Sequence, residues 1–270
     1  MSTVRPAAVA DAFYPSDAAV LARDVAVLLD EARRRAVPHA LPKAMIVPHA
    51  GYIYSGPVAA SAYVLLEQGR EIYRRVVLLG PVHRVPVRGL ALPGADAFAT
   101  PLGAIPIDRE LADRLAALPQ VVESLPAHAW EHSLEVQLPF LQTVLGDFTL
   151  LPLAVGDATP QEVAEVLELA WGGAETLVVI SSDLSHFHAY REAQVIDGAT
   201  AQAILDLRIP ISHEQACGGT PVNGLLLAAR RHGLTPHLLD LRNSGDTAGD
   251  HGRVVGYAAF AFSGEPGYVH

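Results

Sequence analysis

Short apolar runs alternate with amphipathic stretches along the chain. Apolar runs at Ala44–Pro48, Arg75–Gly80, Leu90–Leu92, Thr149–Val155, Thr176–Ser181, His237–Leu241 and Val254–Phe262 predict strands. Helical spacing predicts helices over Ala18–Ala36, Val58–Glu67, Asp108–Leu118, Ser133–Leu145, Pro160–Ala170, Arg191–Leu207 and Pro221–His232. Asp108 and Thr159 fit N-caps, Pro160 fits a first helical position, and Pro139 should kink or divide its helix. Val76-Val77-Leu78-Leu79 and Leu177-Val178-Val179-Ile180 are apolar throughout rather than alternating. Such strands are buried on both faces, as in a sheet with helices on each side. The pattern predicts an α/β chain, one three-layer α/β/α sandwich with a mostly parallel sheet, and a single domain over 1–270.

Composition narrows the picture. Half of the 270 residues are hydrophobic and 18% are charged, enough apolar material to cover both faces of a sheet. No apolar run approaches the ~18 residues of a membrane span, and no basic-then-apolar leader opens the chain, so a cytoplasmic protein is expected. A single cysteine, Cys217, excludes an internal disulfide. The formal net charge of −10 repels phosphate backbones, which argues against nucleic acid as a partner. Arg33-Arg34-Arg35 reads as a favourable charge at a helix C-terminus.

Three strand-like runs lead directly into histidines. Ala44–Pro48 runs into His49, Arg75–Gly80 into Pro81-Val82-His83, and Thr176–Ser181 into Ser182-Asp183-Leu184-Ser185-His186. If the strands are parallel, these histidines share the carboxyl edge of the sheet, where open α/β sheets bind ligands. Cys217 lies just before a predicted helix, whose dipole favours the metal-binding thiolate. Glu131-His-Ser-Leu-Glu135 places His132 and Glu135 at helical spacing, yet a helix start with acidic residues in its first turn explains it more simply. Gly51–Gly56 lacks the Lys-Ser/Thr of a P-loop, and no G-x-S-x-G elbow surrounds Ser181 or Ser182.

Several segments, read in order, resemble the Memo family, known in bacteria and archaea as AmmeMemoRadiSam system protein B. They are Ala10-Asp-Ala-Phe-Tyr-Pro15, Pro48-His-Ala-Gly-Tyr-Ile-Tyr-Ser-Gly56, Leu79-Gly-Pro-Val-His83, Glu131-His-Ser-Leu-Glu-Val-Gln-Leu-Pro-Phe-Leu141, Ser181-Ser-Asp-Leu-Ser-His186, Ala216-Cys-Gly218 and Asn243-Ser-Gly-Asp246. The resemblance implies a fold similar to the catalytic subunit of class III extradiol dioxygenases. It implies a mononuclear site for iron or copper, with zinc an alternative in purified protein, held by His49, His83 and Cys217. It implies acid–base work by His186 and a pocket wall of Phe13 and Tyr54; beside it, Asp183, three residues before His186, is expected to orient that imidazole or raise its proton affinity, and His132 is expected to line the pocket. It also implies a functional link to a radical-SAM enzyme and an AmmeMemoRadiSam A-type protein. Where the family often has two adjacent histidines, this chain reads His83-Arg84, which keeps the first.

Extradiol dioxygenases use two histidines and a carboxylate. A thiolate in place of the carboxylate makes a softer site that is prone to oxidation at sulfur. Ring cleavage is therefore not inherited with the fold. Two functions follow as expectations. One is a metal-dependent oxidoreductase acting on a small molecule, and the other is a non-enzymatic module that captures a peptide in the same pocket.

Overall fold

The computed structural model describes residues 3–37 and 39–264. Among these residues twelve strands run β1 Val4–Arg5, β2 Ala44–Val47, β3 Arg75–Pro81, β4 Leu90–Leu92, β5 Ala97–Thr100, β6 Gly103–Pro106, β7 Val121–Glu123, β8 Thr149–Val155, β9 Thr176–Ser181, β10 His186–His188, β11 Thr235–Asn243 and β12 Val254–Ser263. Among the described residues the eight α-helices are α1 Ala18–Arg33, α2 Tyr52–Tyr63, α3 Arg109–Leu115, α4 Leu125–Ala129, α5 Leu138–Val144, α6 Pro160–Ala170, α7 Tyr190–Leu205 and α8 Gly219–Arg231. Nine strands form one sheet in the order β10-β12-β2-β9-β3-β8-β4-β7, with β11 on the flank of β12. Its centre, β2-β9-β3-β8, is parallel. The joins of β12 to β2, β10 and β11, and of β4 to β8, are antiparallel. The small sheet β1-β5-β6 stands apart.

The strand residues explain the layers. Side chains alternate between faces along a strand. Met45, Val47, Val76, Leu78, Leu177 and Val179 face one core, with apolar residues of α1, α2 and α5. Their neighbours Ile46, Val77, Leu79, Val178 and Ile180 face the second core, with α3, α6, α7 and α8. Burying both faces rewards an unbroken apolar run, as the pattern predicted. The helices carry matching stripes, such as Leu21, Val25, Leu29 and Ala32 on α1. Thr159 and Glu162 close a capping box on α6, and Asp108 caps α3. The layers share one sheet and make one domain. Residues 1–2, 38 and 265–270 of the 1–270 reading lie outside those described.

Two helix expectations need correction. The helix expected over Val58–Glu67 begins earlier, at Tyr52, and turns into a 3-10 segment at Val64–Gly69. Its first backbone N–H, from Tyr52, is met by the carbonyl of Phe13 rather than by water. The helix expected over Ser133–Leu145 is shorter. A 3-10 turn at Glu135–Gln137 leads into α5, and Pro139 sits in its first turn, where its missing N–H costs nothing. His132 and Ser133 therefore precede the helix.

Helices α6 and α8 touch closely at Gly224, where an added Cβ would stand 2.2 Å from Val163 Cγ1. Gly224→Ala is expected to cost about 1–3 kcal/mol through overpacking. Urea unfolding at equilibrium measures it, and an unchanged midpoint would show that the two helices separate freely.

Candidate metal centre

Strands β2, β9 and β3 are parallel neighbours. The segments that follow them therefore emerge at one edge of the sheet. His49 follows β2, His83 follows β3, and Asp183 and His186 follow β9. The expected common edge is present.

His49 is 2% exposed. Its backbone N–H donates to Asp183 Oδ1 (2.7 Å), and its Nδ1 lies 2.9 Å from Ser181 Oγ. The Ser181 hydroxyl donates to the Ser133 carbonyl (2.6 Å) and accepts from Gln137 Nε2 (2.8 Å). Its proton is thus spoken for, so His49 must donate from Nδ1 and carry a bare lone pair on Nε2. Burial first, and then the neighbouring His132 and His83, hold its pKa well below the usual histidine value, so the ring is neutral.

Glu131 does for two rings what Ser181 does for one. Its Oε2 accepts the His83 N–H (2.6 Å), and its Oε1 lies 2.9 Å from His83 Nδ1. Oε1 also accepts the N–H groups of His132 and Ser133 (2.9 Å each) and stands 3.2 Å from His132 Nδ1. Burial opposes the charge on Glu131, but hydrogen bonds from His132, His83 and Ser133 outweigh it and hold the carboxyl well below the ordinary range. An ionised carboxylate only accepts, so the His83 ring donates to it from Nδ1, and the His132 ring turns its Nδ1 toward the same oxygen. One ring nitrogen from each of His49, His83 and His132 then lies within 4.8 Å of the others. Outer-shell partners that fix the tautomer in this way are a regular feature of histidine metal sites.

Cys217 reaches the cluster from the start of α8. Its Sγ is 3.4 Å from His49 Nε2 and 3.7 Å from the Asp183 carbonyl. Nitrogen and sulfur ligands of one ion, at ~2.0–2.1 and ~2.3 Å from it, stand about 3.0–3.5 Å apart for bond angles between square and tetrahedral. The Sγ–Nε2 separation fits one pair of such ligands, but the donor atoms that converge within 4.8 Å are those of His49, His83 and His132, so His132 stands in the group where Cys217 was expected. The expected dipole-stabilised thiolate does not hold without a metal. Burial, and then the Asp183 charge, push the thiol up to about 12, and it is protonated. Imidazole nitrogens with one sulfur form a donor set that suits iron, copper or zinc.

The remaining predicted site residues fall around this cluster. Phe13 packs on the His132 ring, centroids 4.6 Å apart, and Tyr54 lies partly exposed on α2. His186 opens β10 rather than lying on a turn, and its Nδ1 meets the Leu184 carbonyl (2.9 Å), which leaves its Nε2 bare. Asp183 braces the His49 backbone, and the Leu184 carbonyl orients the His186 ring in its place. Burial raises the Asp183 carboxyl above its ordinary value. Glu135, paired by spacing with His132, faces away and binds Arg5. Sequence reasoning missed Glu131 as the organiser, although an acidic residue next to a motif histidine was its visible signal.

A mixed α/β sandwich with a histidine cluster at the carboxyl edge of its parallel strands is the class of protein that these observations define. A family model described as Memo-like protein matches residues 5–261. The chain is 36% identical to a MEMO1 family protein of Methanosarcina barkeri, over 95% of this chain and 98% of that one. It is also 36% identical to a MEMO1 family protein of Aquifex aeolicus, over 96% and 99%. The chain belongs to the Memo-like, or MEMO1, family. The crystal structure of an uncharacterized protein from Escherichia coli K12 matches with a TM-score of 0.55, covering 82% of this chain and 100% of that one. At 13% identity, that likeness is one of fold. Among the described residues, no helix is long and apolar enough to cross a membrane.

Proposed function

We propose that this protein holds one iron or copper ion and acts as a metal-dependent oxidoreductase of the extradiol-dioxygenase-like kind. The observation that supports the reading is the convergence of the His49, His83 and His132 ring nitrogens, with the Nδ1 sides of the rings anchored on Glu131 and Ser181. His49 and His83 would hold the ion, with Cys217 as the third donor and His132 facing the same space from the pocket side. Such an ion, when bound, supplies electron transfer and draws electron density from a coordinated oxygen or substrate atom. The chain supplies the rest. Phe13 packs the His132 ring, and Asp183 anchors the loop that carries His49. His186 presents a bare Nε2 that can take a proton from a substrate, given a separation of ~2.6–3.2 Å or one intervening water.

Metal analysis of anaerobically purified protein tests the reading. Near-stoichiometric iron or copper is expected, falling at least tenfold in His49→Ala and His83→Ala. Metal binding to the wild type should release the Cys217 proton, and Cys217→Ser should abolish that release. His132→Ala and His186→Ala should keep the metal, while His186→Ala loses any turnover and its pH dependence. If His132→Ala strips the metal and Cys217→Ser does not, the third donor is nitrogen. Unchanged metal content in both His49→Ala and His83→Ala would end the reading.

A specific observation favours a second reading. The exposed aromatic residues Tyr54, Trp130 and Phe187 (36%, 67% and 61% exposed) lie close in sequence to His49, His132 and His186. Exposed aromatic side chains are the usual anchors for a bound polypeptide. On this reading a peptide ligand binds equally well to metal-free protein. The association with a radical-SAM enzyme and an AmmeMemoRadiSam A-type protein is a proposal resting on family membership, and crosslinking in the native cell tests it.

A further inference from the structure

His186 is held in place by groups outside its own strand. The backbone around it is bent. His186 pairs with Val255 and His188 with Val254, and the register shifts between them. Phe187 has φ 64°, a left-handed conformation that costs free energy in a residue with a side chain. Such strain persists where the surroundings over-determine it, and bulges beside a site re-aim a side chain. Three hydrogen bonds fix the two residues before His186. The Leu184 N–H donates to the Gly256 carbonyl (2.8 Å), and the Gly256 N–H donates to the Ser185 carbonyl (2.8 Å). The third ends on a side chain, from the Ser185 N–H to Asp197 Oδ1 (3.0 Å). We propose that Asp197 is a positioning residue for His186, fixing from α7 the segment whose Leu184 carbonyl sets the imidazole ring. The proton-transfer role of that ring rests on the oxidoreductase reading above, whereas its placement does not.

A buried carboxylate at this position calls for a partner. The buried stripe of α7 is Ala193, Asp197, Thr200, Ala201 and Ile204, and Asp197 is 2% exposed. A charge in such a stripe is costly unless it is hydrogen-bonded. Burial raises the Asp197 carboxyl above its ordinary value, and the hydrogen bonding of Ser185 offsets this only in part. The fold also makes room for the group. At Gly256 an added Cβ would stand 2.0 Å from Asp197 Oδ2, so a side chain there would displace the carboxylate.

The helix that carries Asp197 is anchored at its start. The Tyr190 N–H donates to the His251 carbonyl (3.1 Å), and the Tyr190 hydroxyl donates to Asp246 Oδ1. The other oxygen of Asp246 accepts the Asn243 N–H (2.9 Å). The segment Asn243-Ser-Gly-Asp246 therefore holds α7 in place. From Asp197 the path runs through the Ser185 N–H to the neighbouring Leu184 carbonyl, which meets His186 Nδ1 at 2.9 Å. A carbonyl only accepts, so Nδ1 carries the proton and Nε2 is the free acceptor of the neutral ring. Asp183, expected to orient this ring, is engaged with the His49 N–H instead. The carboxylate that serves His186 thus lies eleven residues further on, on a different element.

The ring nitrogens of His186 report the effect. They are read by nitrogen NMR of metal-free protein at pH ~8, above the unperturbed histidine value, with His186→Ala used for assignment. The wild type is expected to hold the form protonated at Nδ1. Asp197→Leu keeps the bulk of the side chain and removes the acceptor. The balance between the two tautomers should then move at least about threefold, the weight of one ordinary hydrogen bond. Asp197→Asn keeps an acceptor oxygen and should restore most of the wild-type balance. A role in stability alone would lower the melting temperature of Asp197→Leu and leave the tautomers unchanged, which overturns the proposal. An Asp197→Asn balance equal to that of Asp197→Leu overturns it too. If Asp197→Leu does not fold, Asp197→Ala replaces it, and amide exchange in the wild type gives a check that needs no variant. The Ser185 N–H is expected to be protected, and exchange at the rate of an unprotected amide overturns the proposal. Metal content and turnover, measured separately, decide the oxidoreductase reading. Shifted tautomers in a protein without turnover keep the placement and lose that reading, while turnover with tautomers indifferent to Asp197 does the reverse.

Discussion

Glu131→Gln is expected to lower metal affinity about 10- to 100-fold, the usual cost of removing a partner that orients ligand histidines. The substitution keeps the shape of the side chain but changes what it can accept. Glu131 Oε1 faces the N–H groups of His132 and Ser133 and both Nδ1 atoms, while Oε2 faces the His83 N–H. A glutamine has one acceptor oxygen, so its NH₂ must point at a donor. Whichever way it is turned, one of the loops bearing His83 and His132 has to move. The charge also matters for acid stability. The folded pKa of Glu131 lies below its unfolded value, so its stabilisation is in full force above ~4.3 and fades as pH falls below that value. The variant should lose this part of the acid sensitivity. Competition with a chromophoric chelator measures the affinity. A change smaller than twofold in a variant that remains folded would mean that the rings hold their orientation without the carboxylate.

Parts of this arrangement are legible in the chain and parts are not, for physical reasons. Strands β3 and β9 show in the sequence because burial on both faces requires an unbroken apolar run. His49, His83 and His186 show because they follow such runs, and parallel pairing then brings them to one edge. His132 shows only as a pocket residue, and its place among the converging donors does not show. Its neighbours have helical spacing, but Glu131 takes the N–H groups of His132 and Ser133 with its side chain, so the helix starts later. That choice depends on a tertiary contact, the bond to His83, which no local pattern carries. The protonated state of Cys217 was equally hidden. A helix dipole is a local feature, whereas the burial that overrides it belongs to the assembled fold. Strands β5 and β6 are short and partly exposed, which leaves them little apolar signal.

The same segment carries the largest expected effect on stability. Arg5 and Glu135 are ion-paired with side chains 1% and 0% exposed. Glu135 also accepts the N–H groups of Ala8 (2.8 Å) and Val9 (3.0 Å) and the hydroxyl of Tyr14. Arg5 in turn donates to the carbonyls of His128 (2.9 Å) and Glu131 (2.7 Å). The pair thus pins the N-terminal segment that bears Phe13 to the segment that bears Glu131 and His132. Glu135→Ala strands a guanidinium and two backbone donors out of water, and about 3–5 kcal/mol of stability should be lost. For a chain of this size, that lowers the melting temperature by roughly 10 °C. Replacing both charges, as Arg5→Met with Glu135→Leu, should recover part of the loss, because no buried charge is then left alone. Recovery stays incomplete because Ala8 and Val9 still lack an acceptor. Guanidinium unfolding of the wild type, both single variants and the pair measures each step. A loss below 1 kcal/mol in Glu135→Ala would mean that water reaches Arg5, and that the N-terminal segment is held by its apolar contacts alone.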